Sequence, residues 1–194
     1  MKADVVLAGV GGQGVLTVAA LLAEAAGRDG LDVRQGEVHG MAQRGGAVTA
    51  TVRMADTPIH GTLIARGTAD VVVGVEPVEA LRHLEFLAPT GHLLAAADPV
   101  QNVPDYPDLR DVHESIRRVP GGVVVEAAEL AAAAGSRRSA NVVMAGAASV
   151  FLPLQETTLE ACIRDAFSAK GRRVVEVNIA ALRAGRAAGA RAAV

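Results

Sequence analysis

Aromatic residues are almost missing from this 194-residue sequence, which has no Trp, one Tyr and three Phe. The hydrophobic interior must therefore be built from Ala, Val and Leu, and the aromatic platforms that stack the bases of single-stranded nucleic acids are excluded. Charge of one sign is not in excess either, since 19 basic and 21 acidic residues give a formal net charge of −2. Without a positive field to attract phosphodiesters or anionic lipids, we expect neither nucleic acid nor a membrane as a partner.

Cysteine occurs once, at Cys162. One cysteine cannot form an internal disulfide or hold a site that needs several thiolates, and the histidines lack metal-ligand spacing, so we expect no metal on this chain. Long apolar runs are absent as well. The opening run Val5–Ala8 stops at Gly9, far short of the roughly 20 residues of a membrane span, which predicts a cytoplasmic chain.

The apolar pattern alternates between the spacing of strands and that of helices. Strands are predicted over residues 5–8, 33–38, 47–54, 70–75, 92–97 and 123–125, and one helix is predicted to carry Val78, Leu81, Leu84 and Leu87 on one stripe. Such alternation is typical of an α/β fold, here a Rossmann-like three-layer sandwich with a mostly parallel sheet and helices on both faces. We expect one domain over residues 1–194, ending in a basic Ala/Arg-rich tail at about 180–194. A solvated C-terminal helix is the favoured interpretation of this tail, and a segment that frays or docks on a partner is the alternative.

A glycine motif lies between the first predicted strand and the first predicted helix. It consists of Gly9, Gly11, Gly12, Gln13 and Gly14. Glycines permit positive φ and direct backbone N–H groups toward an anion at the start of a helix. Glu37 follows at the distance of a ribose-binding carboxylate. The motif is compatible with a dinucleotide, with CoA or another phosphate ligand, and with a tight turn that binds nothing.

A polar loop follows the second predicted strand and contains Glu37, His39, Gln43, Arg44, Gly45 and Gly46. Because the loops after parallel strands share one sheet edge, we expect this loop to lie beside the glycine motif and to contact a ligand or a partner. Arg44 suits a phosphate or a carboxylate. No nucleophile or second base accompanies His39, so no catalytic residue is predicted.

Four segments in order give the sequence a family resemblance. They are "VVLAGVGGQGVLT", "EVHGMAQRGGAVTATVR", "ADVVVGVEPVEALR" and "NVVMAGAASV", the last of which begins at Asn141. Over residues 4 to about 185 the chain resembles the γ domain of 2-oxoacid:ferredoxin oxidoreductases. The second segment is most similar to the β subunits of indolepyruvate ferredoxin oxidoreductases.

The resemblance implies an accessory, γ-type subunit of an enzyme that decarboxylates a 2-oxo acid, releases an acyl-CoA and passes electrons to ferredoxin. It places thiamine diphosphate and the [4Fe–4S] clusters on a larger catalytic partner chain, so that this chain alone is expected to be inactive. CoA is a possible ligand of the glycine motif, and Asn141 joins the candidate ligand or partner residues.

Two other interpretations stay open at this point. A stand-alone NAD(P)-binding or other dinucleotide-binding protein would explain the glycines and Glu37, but 194 residues leave little room for a substrate domain. A pure scaffold, whose glycine turn binds no ligand, is compatible with the same residues.

Overall fold

A six-stranded mixed sheet forms the centre of the computed structural model, which describes residues 1–39, 45–101 and 105–192. The strands are β1 (Lys2–Val10), β2 (Asp32–His39), β3 (Ala47–Ala55), β4 (Ala69–Gly74), β5 (Leu87–Ala96) and β6 (Gly122–Val125), in the spatial order β2-β3-β1-β4-β5-β6. Strands β1, β4, β5 and β6 pair in parallel, whereas β3 is antiparallel to both β1 and β2. The predicted α/β fold is therefore confirmed.

Helices cover both faces of the sheet. They are α1 (Val15–Arg28), α2 (Pro77–Arg82), α3 (Leu109–Arg118), α4 (Ala127–Ala133), α5 (Ala140–Ser149), α6 (Glu156–Phe167) and α7 (Arg172–Ala192). Along β1, Val5 and Leu7 point into the core shared with α1 and α4–α7, while Val6 points into a smaller core under α2 and α3. Each fully buried Val or Leu contributes about 1.5–3 kcal/mol to the stability of the fold. Because successive side chains of a strand point to opposite faces, the apolar residues of β1 require helices on both faces of the sheet.

The predicted helix that includes Leu84 and Leu87 is shorter in the structure. Helix α2 ends at Arg82, and Leu87 already opens β5, where it pairs with Ala69 of β4. β5 thus begins five residues before His92. The helical spacing of the leucines was misleading because strand pairing determines the conformation of this segment.

The C-terminal tail is helical, and it belongs to a continuous helix that packs against α5 rather than lying free in solvent. Helix α7 crosses α5 so closely that a Cβ added at Gly146 would lie 2.2 Å from the carbonyl oxygen of Leu182, and one at Gly185 would lie 2.0 Å from that of Val143. Only glycine allows this backbone contact. Within the described ranges, no helix is long and apolar enough to cross a membrane.

Candidate functional site

The glycine turn joins the carboxyl end of β1 to the start of α1. Gly12 and Gly14 adopt left-handed conformations, with φ of 102° and 82°. Gly14 is the N-cap of α1 and has no side chain to cap it, while its carbonyl accepts the N–H groups of Thr17 and Val18. The N–H groups of Val15 and Leu16 have no described acceptor, so the positive end of the helix dipole is open to an anion.

Gln13 holds the turn together rather than reaching outward. Its Oε1 accepts the N–H of Val10 at 2.7 Å, and its Nε2 donates to the carbonyl of Val75 at 2.9 Å. The side chain therefore links the ends of two neighbouring parallel strands. Gly9 lies beneath it, and a Cβ at Gly9 would be 3.0 Å from Gln13 Oε1 and 2.8 Å from Val15 Cγ2.

Gly45 and Gly46, the described residues just before β3, meet the glycine turn, as the sequence predicted for them. The N–H of Gly11 donates to the carbonyl of Gly46 at 2.8 Å, and the N–H of Gly45 donates to the carbonyl of Gly11 at 3.4 Å. These bonds continue the β1–β3 ladder beyond Val10. The N–H of Gly11 is consequently used within the protein, which leaves the turn's anion contacts to the start of α1.

Asn141 reaches the turn from the first residues of α5. Its Nδ2 donates to the carbonyl of Gly14 at 3.4 Å, and its Oδ1 accepts the N–H of Val142 at 3.0 Å. A Cβ at Gly14 would lie only 2.4 Å from Asn141 Nδ2. Gly14 is therefore required both by its backbone conformation and by this approach of a residue 127 positions away.

The remaining predicted residues are dispersed. Glu37 is exposed on β2, where its Oε1 accepts from Gln35 at 3.3 Å. Because β3 separates β2 from β1, Glu37 lies two strands from the turn rather than one, roughly 10 Å away at the usual strand spacing. His39 ends β2, but its side chain, like Gln43 and Arg44, lies outside the described residues.

A crevice of about 700 Å³ opens at the carboxyl edge, above the ends of β1, β4 and β5. Gly12, Gln13 and Asn141 line one side of it, and Arg137 and Arg138, from a turn of 3-10 helix before α5, line another. Crevices at this position of an open α/β sheet are the usual place of ligand binding.

The sequence did not predict these two arginines as site residues, and they differ in whether a carboxylate pairs with them. Arg137 contacts Asp98 at 3.4 Å, whereas Arg138 has no carboxylate partner among the described residues. Arg138 is therefore a cation available to an anionic ligand beside the open end of α1.

A buried carboxylate also lies near the crevice but is fully engaged. Glu76 caps α2 by accepting the N–H of Glu79 at 2.8 Å, and it accepts a hydrogen bond from the Tyr106 hydroxyl. Burial, followed by the contact with Glu76, raises the pKa of Tyr106 well above its usual range. Both groups thus anchor the segment after β5.

Metal-binding groups are not found in the described part of the chain, where no three His, Cys, Asp or Glu side chains come together. Cys162 is buried on α6, as its spacing predicted, and burial raises the pKa of its thiol. The edge of the sheet therefore offers groups that bind and orient an anion.

Comparisons with known proteins agree with this arrangement. A family model described as pyruvate ferredoxin/flavodoxin oxidoreductase matches residues 4–188. Subunit IorB of indolepyruvate oxidoreductase from Archaeoglobus fulgidus is 37% identical over 196 residues, covering 95% of this chain and 94% of that one.

Two solved structures have the same fold. The γ subunit of a keto/oxoacid ferredoxin oxidoreductase from Geobacter sulfurreducens superposes with a TM-score of 0.70 at 23% identity, covering 97% of this chain and 99% of that one. A 2-oxoglutarate:ferredoxin oxidoreductase from Magnetococcus marinus, with 2-oxoglutarate, CoA and succinyl-CoA bound, gives 0.74 at 23% identity over 98% of this chain. This chain spans only 31% of that longer polypeptide. From the family match and the curated relative, the chain belongs to the pyruvate ferredoxin/flavodoxin oxidoreductase family, as a γ-type subunit of the 2-oxoacid:ferredoxin oxidoreductases.

Proposed function

We propose that this chain serves an indolepyruvate:ferredoxin oxidoreductase and that its carboxyl-edge crevice binds the CoA that receives the acyl group. The substrate assignment rests on the curated relative, which is named an indolepyruvate oxidoreductase subunit. The observation that carries the CoA assignment is the crevice itself, which Gly12 and Gln13 of the glycine turn line together with Arg138 and Asn141, next in the chain to the uncapped N-terminus of α1.

The chemistry of the crevice suits a CoA pyrophosphate. An open helix N-terminus and a guanidinium group are both favourable partners of phosphate oxygens. A volume of about 700 Å³ falls within the range of pockets for ligands of this kind. The Magnetococcus marinus protein, whose fold this chain shares, contains CoA.

The chemical step requires a partner chain. One buried cysteine cannot supply an iron–sulfur cluster. We infer that the [4Fe–4S] clusters and thiamine diphosphate belong to a larger catalytic subunit that delivers electrons to ferredoxin. Thiamine diphosphate, when bound there, supplies the carbanion stabilisation that decarboxylation needs. The residues of this chain then hold CoA and restrict water at its approach. The cytoplasmic location stays a prediction.

Binding and turnover test separate parts of this proposal. Calorimetry on the complex with its catalytic partner should show CoA binding that Arg138→Gln weakens about tenfold, since a charge-assisted hydrogen bond is worth about 1.5–3 kcal/mol. Arg117→Gln on α3 is the matched control, because Arg117 is exposed and does not line the crevice. Equal affinities for the two variants would contradict the CoA assignment.

Activity provides the second test. Indolepyruvate- and CoA-dependent dye reduction should be absent for this chain alone and should appear when the catalytic partner is added. Turnover by the isolated chain, free of metal and cofactor, would contradict the assignment of the chemistry to the partner.

The stand-alone dinucleotide-binding interpretation is not favoured. The family match covers most of the chain, and Glu37 lies one strand further from the glycine turn than a ribose-binding carboxylate requires. Tight binding of NAD(H) by the purified chain is the result that would revive it.

A further inference from the structure

A second cavity, of about 500 Å³, lies behind the crevice between the first residues of α5 and the first turns of α7. We call it the α7 groove. Three cations line it, namely Arg138, Lys170 and Arg173, and none of its lining residues is acidic. Arg138 and Asn141 line both the groove and the crevice, so the two cavities adjoin.

The three cations of the α7 groove lack carboxylate partners among the described residues, in contrast to two neighbouring arginines on α6 and α7. Arg172 pairs with Glu176 at 2.7 Å, and Arg164 pairs with Glu160 at 2.9 Å. Lys170 instead lies over the ring of Phe167, with its Nζ 5.1 Å from the ring centroid. Unpaired like charges around one cavity repel each other, and an anion within the cavity would relieve that repulsion.

The inner wall of the groove adds an unused polar group and an apolar surface. Ser139 is 4% exposed and lines the groove, and its hydroxyl has no hydrogen bond among the described residues. Phe167, Val174 and Val177 form the apolar part of the wall. Because the Ser139 hydroxyl makes no cap bond to α5, it can donate a hydrogen bond to a ligand in the groove.

We propose that the α7 groove binds the phosphomonoester of a small organic molecule, with the phosphate between Lys170, Arg173 and Ser139 and the organic part against Phe167. A concave volume of about 500 Å³ suits a small molecule better than a peptide, which needs a long groove or a free strand edge. Two sources share this chemistry: a phosphomonoester on the ligand of the adjoining crevice, and a separate phosphorylated molecule. The site itself does not rest on CoA binding in the crevice.

Calorimetry with adenosine 3′,5′-bisphosphate tests the site on the full chain. The wild-type protein is expected to bind this probe, and Lys170→Gln combined with Arg173→Gln should weaken binding at least about tenfold. Arg172→Gln is the control for a single positive charge removed beside Arg173, because Arg172 is paired with Glu176 and does not line the groove. Single Lys170→Gln and Arg173→Gln variants, which each remove one charge, are compared with it directly. The Arg172→Gln variant should bind within about twofold of wild type, as expected for an exposed ion pair.

Ser139→Ala is an independent variant that leaves every charge in place, and it should also lower the affinity for adenosine 3′,5′-bisphosphate. Affinities for CoA and dephospho-CoA, measured in the complex, then identify the source. If the double variant lowers the affinity for CoA but not that for dephospho-CoA, the phosphomonoester belongs to CoA. If its affinity for CoA is unchanged while binding of the probe is weakened, the phosphomonoester belongs to a separate molecule. Failure of the wild-type chain to bind the probe, or an equal loss in Arg172→Gln, would overturn the proposal whether or not the crevice binds CoA.

Discussion

Two arginines at opposite edges of the sheet, Arg53 and Arg138, differ in whether a carboxylate pairs with them. At the amino edge, Asp4 is 1% exposed, and its two oxygens contact Arg53 Nε and Lys2 Nζ, each at 2.8 Å. Nearby, Asp32 pairs with Arg34 at 2.7 Å. At the carboxyl edge, Arg138 has no acidic partner among the described residues and adjoins an uncapped helix.

This difference separates residues that maintain the fold from residues that remain available to a ligand. A buried charge must be paired, because removing it from water is unfavourable by several kcal/mol. An exposed cation beside an open helix end needs no partner in the free protein and gains one when an anion binds. Substitution of the paired charges at the amino edge should therefore change stability, and substitution of the unpaired Arg138 at the carboxyl edge should change binding.

The largest effect is expected from Arg53→Ala. This change leaves the carboxylate of Asp4 buried with Lys2 as its remaining cation, and it also removes bonds to the carbonyls of Gly61 and Leu63. We expect a loss of about 3 kcal/mol in the free energy of unfolding, measured with urea. Arg34→Ala, at an ion pair that is exposed, should lose less than about 1 kcal/mol. Similar losses in the two variants would remove the distinction between buried and exposed pairs.

The glycine turn should show an intermediate effect. Gly14→Ala combines positive φ with a Cβ that would lie 2.4 Å from Asn141 Nδ2, so we expect about 2 kcal/mol of destabilisation and displacement of Asn141. Gly12→Ala has the same type of backbone conformation but open space around the new Cβ, which predicts about 1 kcal/mol. Thermal unfolding of both variants measures the difference, and equal shifts would mean that Asn141 moves aside freely.

Acid should weaken the amino edge through Asp4. Burial alone would raise the pKa of Asp4, but its hydrogen bonds to Arg53 and Lys2 outweigh burial and lower it below the ordinary value of 3.8. A lowered pKa stabilises the folded state above 3.8, and this contribution disappears as the pH falls through the folded-state pKa. Urea unfolding between pH 3 and 7 should show that decline in wild type and a smaller one in Asp4→Asn. Parallel curves would assign the acid sensitivity to other carboxylates.

The smallest change in stability is expected from Arg138→Gln. An exposed side chain without an ion pair contributes less than about 0.5 kcal/mol to folding, so the melting temperature should match that of wild type while CoA binding weakens. A marked drop in melting temperature would show that Arg138 belongs with the structural charges, and the division between the two edges would then be wrong.

Local patterns in the sequence predicted the elements that short-range physics determines. The β1 strand, the glycine turn and α1 followed from a buried apolar run, glycines and helical spacing. The position of β3 between β1 and β2 did not, because strand order depends on contacts between distant residues that periodicity does not encode. Glu37 was consequently placed nearer to the turn than it is.

The cations of the α7 groove were missed, although the sequence contains a signal for them. Arg172 has Glu176 one helical turn later, whereas Arg173 and Lys170 have valines at that distance. A basic residue on a helix without an acidic neighbour at i±4 is a candidate for ligand contact. That signal indicates which cations are unpaired, but only the fold shows that Arg138, 32 residues before Lys170, joins them.

The backbone contact between α5 and α7 has a consequence for biosynthesis. Asn141, at the start of α5, completes the glycine turn formed by the first residues of the chain, and α5 is itself held by Gly185 and Gly189 of α7. On the ribosome the amino-terminal strand emerges long before these glycines are made. Because domains fold as units during synthesis, the site at the carboxyl edge reaches its final geometry only when α7 has left the exit tunnel, and the nascent chain is exposed to chaperones and proteases until then.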